Sequence, residues 1–265
     1  MNALQHFNEG RLQDAIDQAT ADVKAKPTDP DHRGLLADFL IFRGAHERAD
    51  KHLEAVSTLS PGSVTFVALI RQLVRADEWR QQFHLEGRSP EFLDTPNERV
   101  QLQLRASIAL REGDTAEAVD LLGQAEEMRG EVACASEEGS FSELRDCDDL
   151  VAGVFEVFTS TGKYYWVPME DVRSLEPRPI ERPCDLLWRR FHMDVDGGPE
   201  GEVYLPSLYA PMPQDAADDV RLGRVTEFSD DEPVRGIGRR LFLLGDDVVS
   251  IDDLPALRFG AAAEA

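Results

Sequence analysis

The sequence contains little cysteine and little lysine. Its three cysteines, Cys134, Cys147 and Cys184, are odd in number, and no two of them have CxxC spacing. A disulfide framework or a cysteine-rich zinc site is therefore not expected, and a reducing cytoplasm is the expected compartment. Only four of the 28 basic residues are lysines, a bias that we attribute to genome composition rather than to function.

Positive charge is scarce as a whole. Against 28 basic residues stand 51 acidic ones, which gives a formal net charge of -23. A surface this negative repels phosphate backbones and anionic lipids, so we expect neither a nucleic-acid partner nor a membrane partner. The apolar stretch VTFVALI at 64–70 is far shorter than the roughly 20 residues that span a bilayer. The first residues lack the charged-then-apolar order of a signal peptide.

Familiar catalytic motifs are also missing. TGK at 161–163 resembles the end of a phosphate-binding loop, but Tyr164 replaces the Ser or Thr and no upstream glycine is correctly spaced. His192, Asp194 and Asp196 alternate and would share one face of a strand, so a metal-dependent enzyme built on them is one alternative. A polar strand face leading into a turn is the commoner arrangement. We therefore expect no catalysis, no cofactor and no bound metal.

Two charged motifs allow a chemical role but have simpler explanations. RDCDD at 145–149 offers three carboxylates, which could act as acid/base groups if they lined a pocket. Beside Arg145, capping and ion pairing are the simpler interpretation. RGIGRR at 235–240 could form an anion-binding turn, or a tight turn whose arginines pair with the protein's surplus acids.

The first half of the sequence repeats with a period of 34 residues. Three pairs of positions share this spacing: Ala15 and Ala49, Ala19 and Leu53, and Pro27 and Pro61. A third copy contains Ala118, Leu122 and Ala125, and the unit at 63–87 is helical by periodicity without the signature. Thirty-four residues is the tetratricopeptide period. Residues 1–129 are therefore predicted to form tetratricopeptide-like helical hairpins, which either bind a peptide or helix or serve only as a scaffold.

The composition changes after an acidic segment that we expect to be a linker, residues 130–145. Residues 146–265 are rich in short aromatic and β-branched runs, which are typical of strands. GVFEVF and KYYWV are predicted to form a hairpin across TSTG, and Pro168 to begin a short helical turn. Further strands are expected at 185–195, 202–206, 239–245 and 248–251. The predicted fold class is α+β, with tetratricopeptide-like helical hairpins followed by a small antiparallel β-rich domain with short helices.

The aromatic strand KYYWV must bury one of its faces. Tyr164 and Trp166 share one face, and Tyr165 and Val167 share the other. We favour core and interdomain packing for this strand over direct contact with a partner.

Six motifs, in their order along the chain, resemble the ImpE/SciE/TagJ family of type VI secretion accessory proteins. They are RDCDD, GKYYWVP, DLLWRR, VYLPSLY, RLGRVTEF and GIGRRLFL. The resemblance covers essentially the whole chain. One departure is Phe228, where the family is expected to carry Trp; phenylalanine keeps the aromatic body but has no indole donor.

The resemblance implies a non-catalytic accessory protein. Its expected partner is the small subunit of the contractile sheath, bound through that subunit's N-terminal helix, and it is expected to act beside the AAA+ ATPase that disassembles contracted sheaths. A general tetratricopeptide-type adaptor or chaperone for another assembly is the other alternative. The candidates for partner binding or interdomain packing are Tyr164, Trp166, Trp188, Arg189, Tyr204, Arg224 and Arg240. The candidates for structural roles are Arg145, Asp146, Asp149, Pro168, Asp185, Gly223, Gly236 and Gly238.

Overall fold

The structure is a computed structural model, and it describes residues 1–260. Its first half is helical, as the 34-residue period predicts. The helices are α1 (Ala3–Asn8), α2 (Leu12–Ala25), α3 (Pro30–Phe42), α4 (His46–Leu59), α5 (Val64–Glu86), α6 (Glu98–Glu112) and α7 (Thr115–Met128). Within residues 1–260, no helix combines the length and the apolar character needed to cross a membrane.

The helix ends follow from local side-chain chemistry. Asp29 caps α3 by accepting from the backbone N–H groups of residues 31 and 32, and proline occupies the first helical position. Asn97 caps α6 in the same way, and Asp114 caps α7. Gly113, with φ at 81°, ends α6 in the left-handed conformation that glycine adopts at little cost. Gly113 therefore ends one helix, and Asp114 begins the next.

The helices pack as antiparallel hairpins. α1 packs against α2, α3 against α4 and α6 against α7, while α5 is a long helix that lies between hairpins. Ala15 and Ala49, which are 34 residues apart, are both fully buried. A residue this small lets neighbouring helices approach closely, which explains the repeated alanine.

The second half is built on antiparallel strands. The strands are β1 (Cys134–Ser136), β2 (Gly139–Phe141), β3 (Leu144–Asp146), β4 (Val154–Phe158), β5 (Tyr164–Pro168), β6 (Val172–Pro177), β7 (Trp188–Val195), β8 (Glu200–Pro206), β9 (Thr226–Phe228), β10 (Gly236–Gly238), β11 (Leu241–Leu244), β12 (Asp247–Ser250) and β13 (Leu257–Phe259). An eight-stranded sheet has the order β2-β1-β13-β6-β7-β8-β4-β5, a three-stranded sheet has the order β12-β11-β3, and β9 pairs with β10. A four-residue helix, α8 (Asp218–Arg221), precedes β9. The α+β fold class is confirmed.

The structure corrects the linker predicted at 130–145. This segment contains β1, β2 and β3, and Cys134 pairs with Phe259 of β13. Its small residues, Ala135 and Ser136, fit a sheet, while the acids that suggested a linker, Glu137 and Glu138, occupy the turn between β1 and β2. The main sheet is wider than expected because β1, β2, β6 and β13 all join it.

Two smaller differences concern the predicted strands. The strand expected at 185–195 begins at Trp188, because Pro183–Leu186 forms a 3₁₀ turn. The strand β6 was not predicted, and it follows the short turn Met169–Asp171 that begins after Pro168 as expected. Pro177 is tolerated in β6 because it stands at the last position of the strand.

One apolar core crosses the boundary between the two halves. It extends from Leu36 of α3 and Phe83 of α5 to Phe158 of β4 and Trp188 of β7. A second core lies on the other face of the main sheet and contains Phe155, Phe191, Phe242 and Phe259. The predicted division into 1–129 and 146–265 thus marks a change of secondary structure that a shared core spans.

Candidate functional site: a buried polar network beside an interdomain cleft

Glu156 is a fully buried carboxylate in the middle of β4. Because side chains alternate along a strand, Phe155 and Val157 enter the second core, and Glu156 points with Val154 and Phe158 towards the helices. A charge in this position requires partners of opposite charge, since burial without them is very unfavourable.

Three side chains donate to the Glu156 carboxylate. Arg80 of α5 binds both oxygens, with Nε 2.9 Å from Oε1 and Nη2 2.7 Å from Oε2. Arg240 Nη2 also donates to Oε2, and the Tyr164 hydroxyl donates to Oε1. Burial by itself raises the pKa of Glu156, but the two guanidinium groups outweigh it and hold that pKa well below its usual range.

The aromatic strand β5 completes this network. Trp166 Nε1 donates to the Tyr164 hydroxyl over 2.6 Å, and the Phe83 ring of α5 lies edge-on to Trp166 at 5.0 Å between centroids. Tyr164 and Trp166 are both fully buried. In this structure the face that they share packs in the core and against a helix of the other half.

Asp146 continues the network on the far side of Arg240. It is fully buried, its Oδ1 accepts from the Tyr209 hydroxyl at 3.1 Å, and its Oδ2 lies 3.6 Å from Arg240 Nε. The same oxygen Oδ1 accepts the backbone N–H of Asp148. Arg240 therefore lies between two buried carboxylates, Asp146 and Glu156.

RDCDD and RGIGRR meet each other beside this network. Arg235 donates to both oxygens of Asp148, and Arg145 Nη2 lies 2.7 Å from Asp149 Oδ1. The backbone N–H groups of Val234 and Gly236 donate to Asp149 and Asp148 respectively. In both motifs the charged residues therefore form caps and ion pairs, which is the simpler of the two interpretations.

Two glycines make the turn of the RGIGRR motif possible. A Cβ on Gly236 would lie 2.3 Å from the Tyr209 ring, and a Cβ on Gly238 would lie 2.0 Å from the Val225 carbonyl oxygen. Gly238 also has φ at 91°, which side chains rarely permit. Only glycine therefore lets Arg240 reach the core from this turn.

The remaining candidates from the sequence hold chain segments together. Arg224 Nη2 donates to the carbonyl oxygens of Phe7 and Asn8 at the end of α1. Arg189 donates to the Arg178 carbonyl, and Asp185 accepts two backbone N–H groups at 181 and 182.

Three further residues from the sequence analysis have defined surroundings. Tyr204 is buried opposite Arg190 in the pairing of β8 with β7. Gly223 contacts the guanidinium of Arg239, which donates to its carbonyl. Phe228 is 37% exposed and lies edge-on to Tyr209.

The proposed metal ligands are not brought together. His192 Nε2 lies 3.0 Å from Glu200 on the open face of β7, and Asp196 pairs with Arg173. Across the part of the chain that the structure describes, no group of three His, Cys, Asp or Glu side chains is placed to hold a metal ion. These residues therefore fit the other interpretation, a polar strand face that leads into a turn.

A cleft of about 510 Å³ opens next to the polar network, between the turn joining α3 to α4, the helix α5 and the segment 206–214. Its apolar lining includes Phe42, Trp188, Leu208 and Met212. Arg80 and Tyr209 belong to both the cleft and the network, so the two features are contiguous. We call this feature the interdomain cleft.

Acidic side chains of α5 lie on one side of the interdomain cleft. Glu78 lies 3.3 Å from His46 Nδ1. Burial lowers the pKa of His46, but the hydrogen bond to Glu78 and the charge of Asp77 outweigh it and raise that pKa. Asp77 is half-buried, and within residues 1–260 its carboxylate takes part in no hydrogen bond or ion pair.

Tyr164, Trp166, Arg240 and Asp146 are candidates from the sequence that lie in the network, whereas Glu156 and Arg80 are not among those candidates. Glu156 had a usable signal, because it is the only charge in the apolar run GVFEVF. Arg80, His84 and Asp77 had none, since α5 carries many charged residues at similar spacing.

The fold and the site together define a class: an α+β protein in which tetratricopeptide-like hairpins are fastened to an antiparallel sheet through a buried ionic network. The resemblance of the chain to the ImpE/SciE/TagJ family, which its six motifs indicated, is confirmed. The family model described as ImpE protein matches residues 138–258.

Two relatives extend the similarity to the whole chain. The chain is 28% identical to the type VI secretion system accessory component TagJ of Pseudomonas aeruginosa, over 98% of this chain and 91% of that protein. It is also similar to a crystal structure of a Vibrio parahaemolyticus protein, with a TM-score of 0.89, 29% identity and 97% of each chain covered.

Proposed function

We propose that this protein is an accessory component of a type VI secretion system that acts by binding rather than by catalysis. The observation that carries the proposal is the similarity to TagJ, which extends over both halves of the chain. In this proposal the protein acts in the cytoplasm, beside the AAA+ ATPase that disassembles contracted sheaths.

The partner in this proposal is the N-terminal helix of the small sheath subunit. Helical hairpins and the clefts beside them commonly hold a helix that presents apolar residues at i, i+3 or i+4, and i+7. The interdomain cleft offers apolar walls to such a helix. The chain's net charge of -23 favours fast association with a basic segment.

The chemistry of the polar network supports a role in holding the structure. A catalytic carboxylate needs free lone pairs and a pKa near the working pH. Glu156 instead receives donors from Arg80, Arg240 and Tyr164, and its pKa is held low. His84, the nearest imidazole, has its pKa lowered to about 4, chiefly by burial.

Isothermal titration calorimetry tests the proposal. A peptide covering the N-terminal helix of the small sheath subunit is titrated into the full-length protein. We expect saturable heat at micromolar concentrations, and a scrambled peptide of the same composition gives none. Absence of heat with the native peptide contradicts the proposed partner.

A further inference from the structure

The interdomain cleft draws its walls from two of the family motifs. Leu187 and Trp188 belong to DLLWRR, and Leu208 and Tyr209 belong to VYLPSLY. Trp188 and Tyr209 are almost fully buried and form fixed walls, while Leu208 and Met212 are half-buried. The motif residues thus build a preformed apolar recess, large enough at about 510 Å³ for a few side chains.

The charged side chains around the recess differ in whether they have hydrogen-bond or ion-pair partners. On the basic side, Arg43 Nη2 lies 3.0 Å from Asp218, and Arg221 donates to the carbonyl oxygens of three residues in the segment 213–216. On the acidic side, the Asp77 carboxylate takes part in no hydrogen bond or ion pair anywhere in the described chain. Burial, opposed by His46 and Arg80, raises the pKa of Asp77. Arg43 Nε is buried without an acceptor, but Arg43 still pairs with Asp218. Asp77 is therefore the charged side chain of this lining that has neither a hydrogen bond nor an ion pair in the described chain.

An unpaired, half-buried carboxylate beside an apolar recess favours a particular kind of occupant. A Lys or Arg side chain brought next to Asp77 would form a partly desolvated ion pair, which is worth more than an exposed one. An anionic small molecule would meet both Asp77 and the negative field of the whole chain. The complementary occupant is a cationic, partly apolar segment.

We infer that the interdomain cleft is a docking site for a partner helix that places a large apolar side chain between Trp188 and Met212 and a Lys or Arg side chain on Asp77. The identity of the helix rests on the proposed function, whereas the place and the chemistry rest on the cleft. Arg80 lines the same cleft and binds Glu156, so an occupied cleft lies directly against the network that joins the two halves.

The test compares cleft variants with a matched surface variant. Asp77→Asn removes the unpaired charge at constant size, and Met212→Glu places a charge in the apolar recess. Glu127→Gln removes one negative charge from α7, away from the cleft, and serves as the control. Thermal unfolding of all three shows that they remain folded.

The sheath-subunit helix peptide is the first probe. We expect its affinity to fall about tenfold with Asp77→Asn and by more with Met212→Glu, and to stay within about twofold with Glu127→Gln. If the peptide binds the wild type and both cleft variants equally, the inference is wrong while the proposed function stands.

If the peptide binds none of the proteins, the proposed partner is wrong, and a second probe decides the inference. This probe is an amphipathic helical peptide made only of leucine and lysine. Binding that Met212→Glu and Asp77→Asn weaken and Glu127→Gln does not supports the docking site. If the cleft variants bind this peptide as tightly as the wild type does, or if no protein binds it, the inferred docking site is wrong.

Discussion

Arg80 and Glu156 are 76 residues apart and form a two-point ion pair in the interior of the protein. Arg80 belongs to the long helix α5 and Glu156 to the strand β4, and both side chains are almost completely buried. Arg240 donates to the same carboxylate from a third segment. One carboxylate therefore fastens three distant parts of the chain together.

Replacing Glu156 by Gln should destabilise the protein strongly. The change removes the anion that Arg80 binds at two points and leaves Arg240 with Asp146 alone. Breaking a buried pair of this kind typically costs about 3–5 kcal/mol. Urea unfolding measures the loss, with Glu127→Gln as the exposed control, expected within about 0.5 kcal/mol of wild type. A loss for Glu156→Gln as small as that of the control would show that the network contributes little.

Replacing Tyr164 by Phe isolates one hydrogen-bonded hydroxyl. The variant removes a donor to Glu156 and leaves Trp166 Nε1 without its acceptor, so we expect a loss of about 1–3 kcal/mol. Tyr165→Phe is the matched control on the other face of the same strand. Its hydroxyl makes no hydrogen bond within residues 1–260, so that variant should behave as wild type. Equal thermal unfolding temperatures for the two variants would contradict the assignment.

His84 should make stability depend on pH. Its folded-state pKa is lowered to about 4, first by burial and further by Arg80, although Glu156 at 3.7 Å opposes the shift. Between pH 6.5 and 4 the unfolded chain binds a proton at this site and the folded chain does not, so stability falls as pH falls through this window. Wild type should lose about 1–2 kcal/mol more than His84→Gln between pH 7 and pH 5.

The difference between the two proteins is the quantity to measure, because the other histidines and the carboxylates titrate in both and cancel. Urea unfolding at several pH values gives the two curves. Parallel curves over this window would show that His84 titrates normally in the folded protein.

Gly238→Ala and Gly123→Ala should have opposite effects. At 238 the added methyl group meets the Val225 carbonyl oxygen at a positive φ, so we expect a loss of more than about 2 kcal/mol. At 123, in the middle of α7, nothing lies within 4 Å of the added carbon, and alanine should stabilise the helix by about 0.5–1 kcal/mol. Differential scanning calorimetry compares both; stabilisation by Gly238→Ala would contradict the described turn.

The sequence predicted the helical hairpins well because their signals are local. Ala15 and Ala49 repeat at 34 residues, and Asp114 caps the helix that follows it. The hairpin of β4 and β5 is local as well, since five residues join its strands. Short-range chemistry is sufficient to predict elements of this kind.

The contacts of the polar network could not be predicted from the sequence, because the residues that form them are far apart in the chain. Nothing near Arg80 indicates that it meets Glu156, and the pairing of β1 with β13 joins residues 134 and 259. The motifs RDCDD and GIGRRLFL were found as family signatures, but their meeting beside Arg240 follows only from the fold. Long-range contacts of this kind depend on the whole topology.

A photo-crosslinking experiment shows whether the small sheath subunit docks in the interdomain cleft. A benzoyl-phenylalanine is placed at Met212 in the interdomain cleft, and, as a control, at Leu85, which is 63% exposed and outside it. The full-length protein is irradiated with the purified small sheath subunit, and the crosslinked residues are identified by mass spectrometry. We expect a crosslink from position 212 to the N-terminal helix of the subunit and none from position 85. A sheath subunit that crosslinks from neither position, or only from position 85, would contradict this expectation.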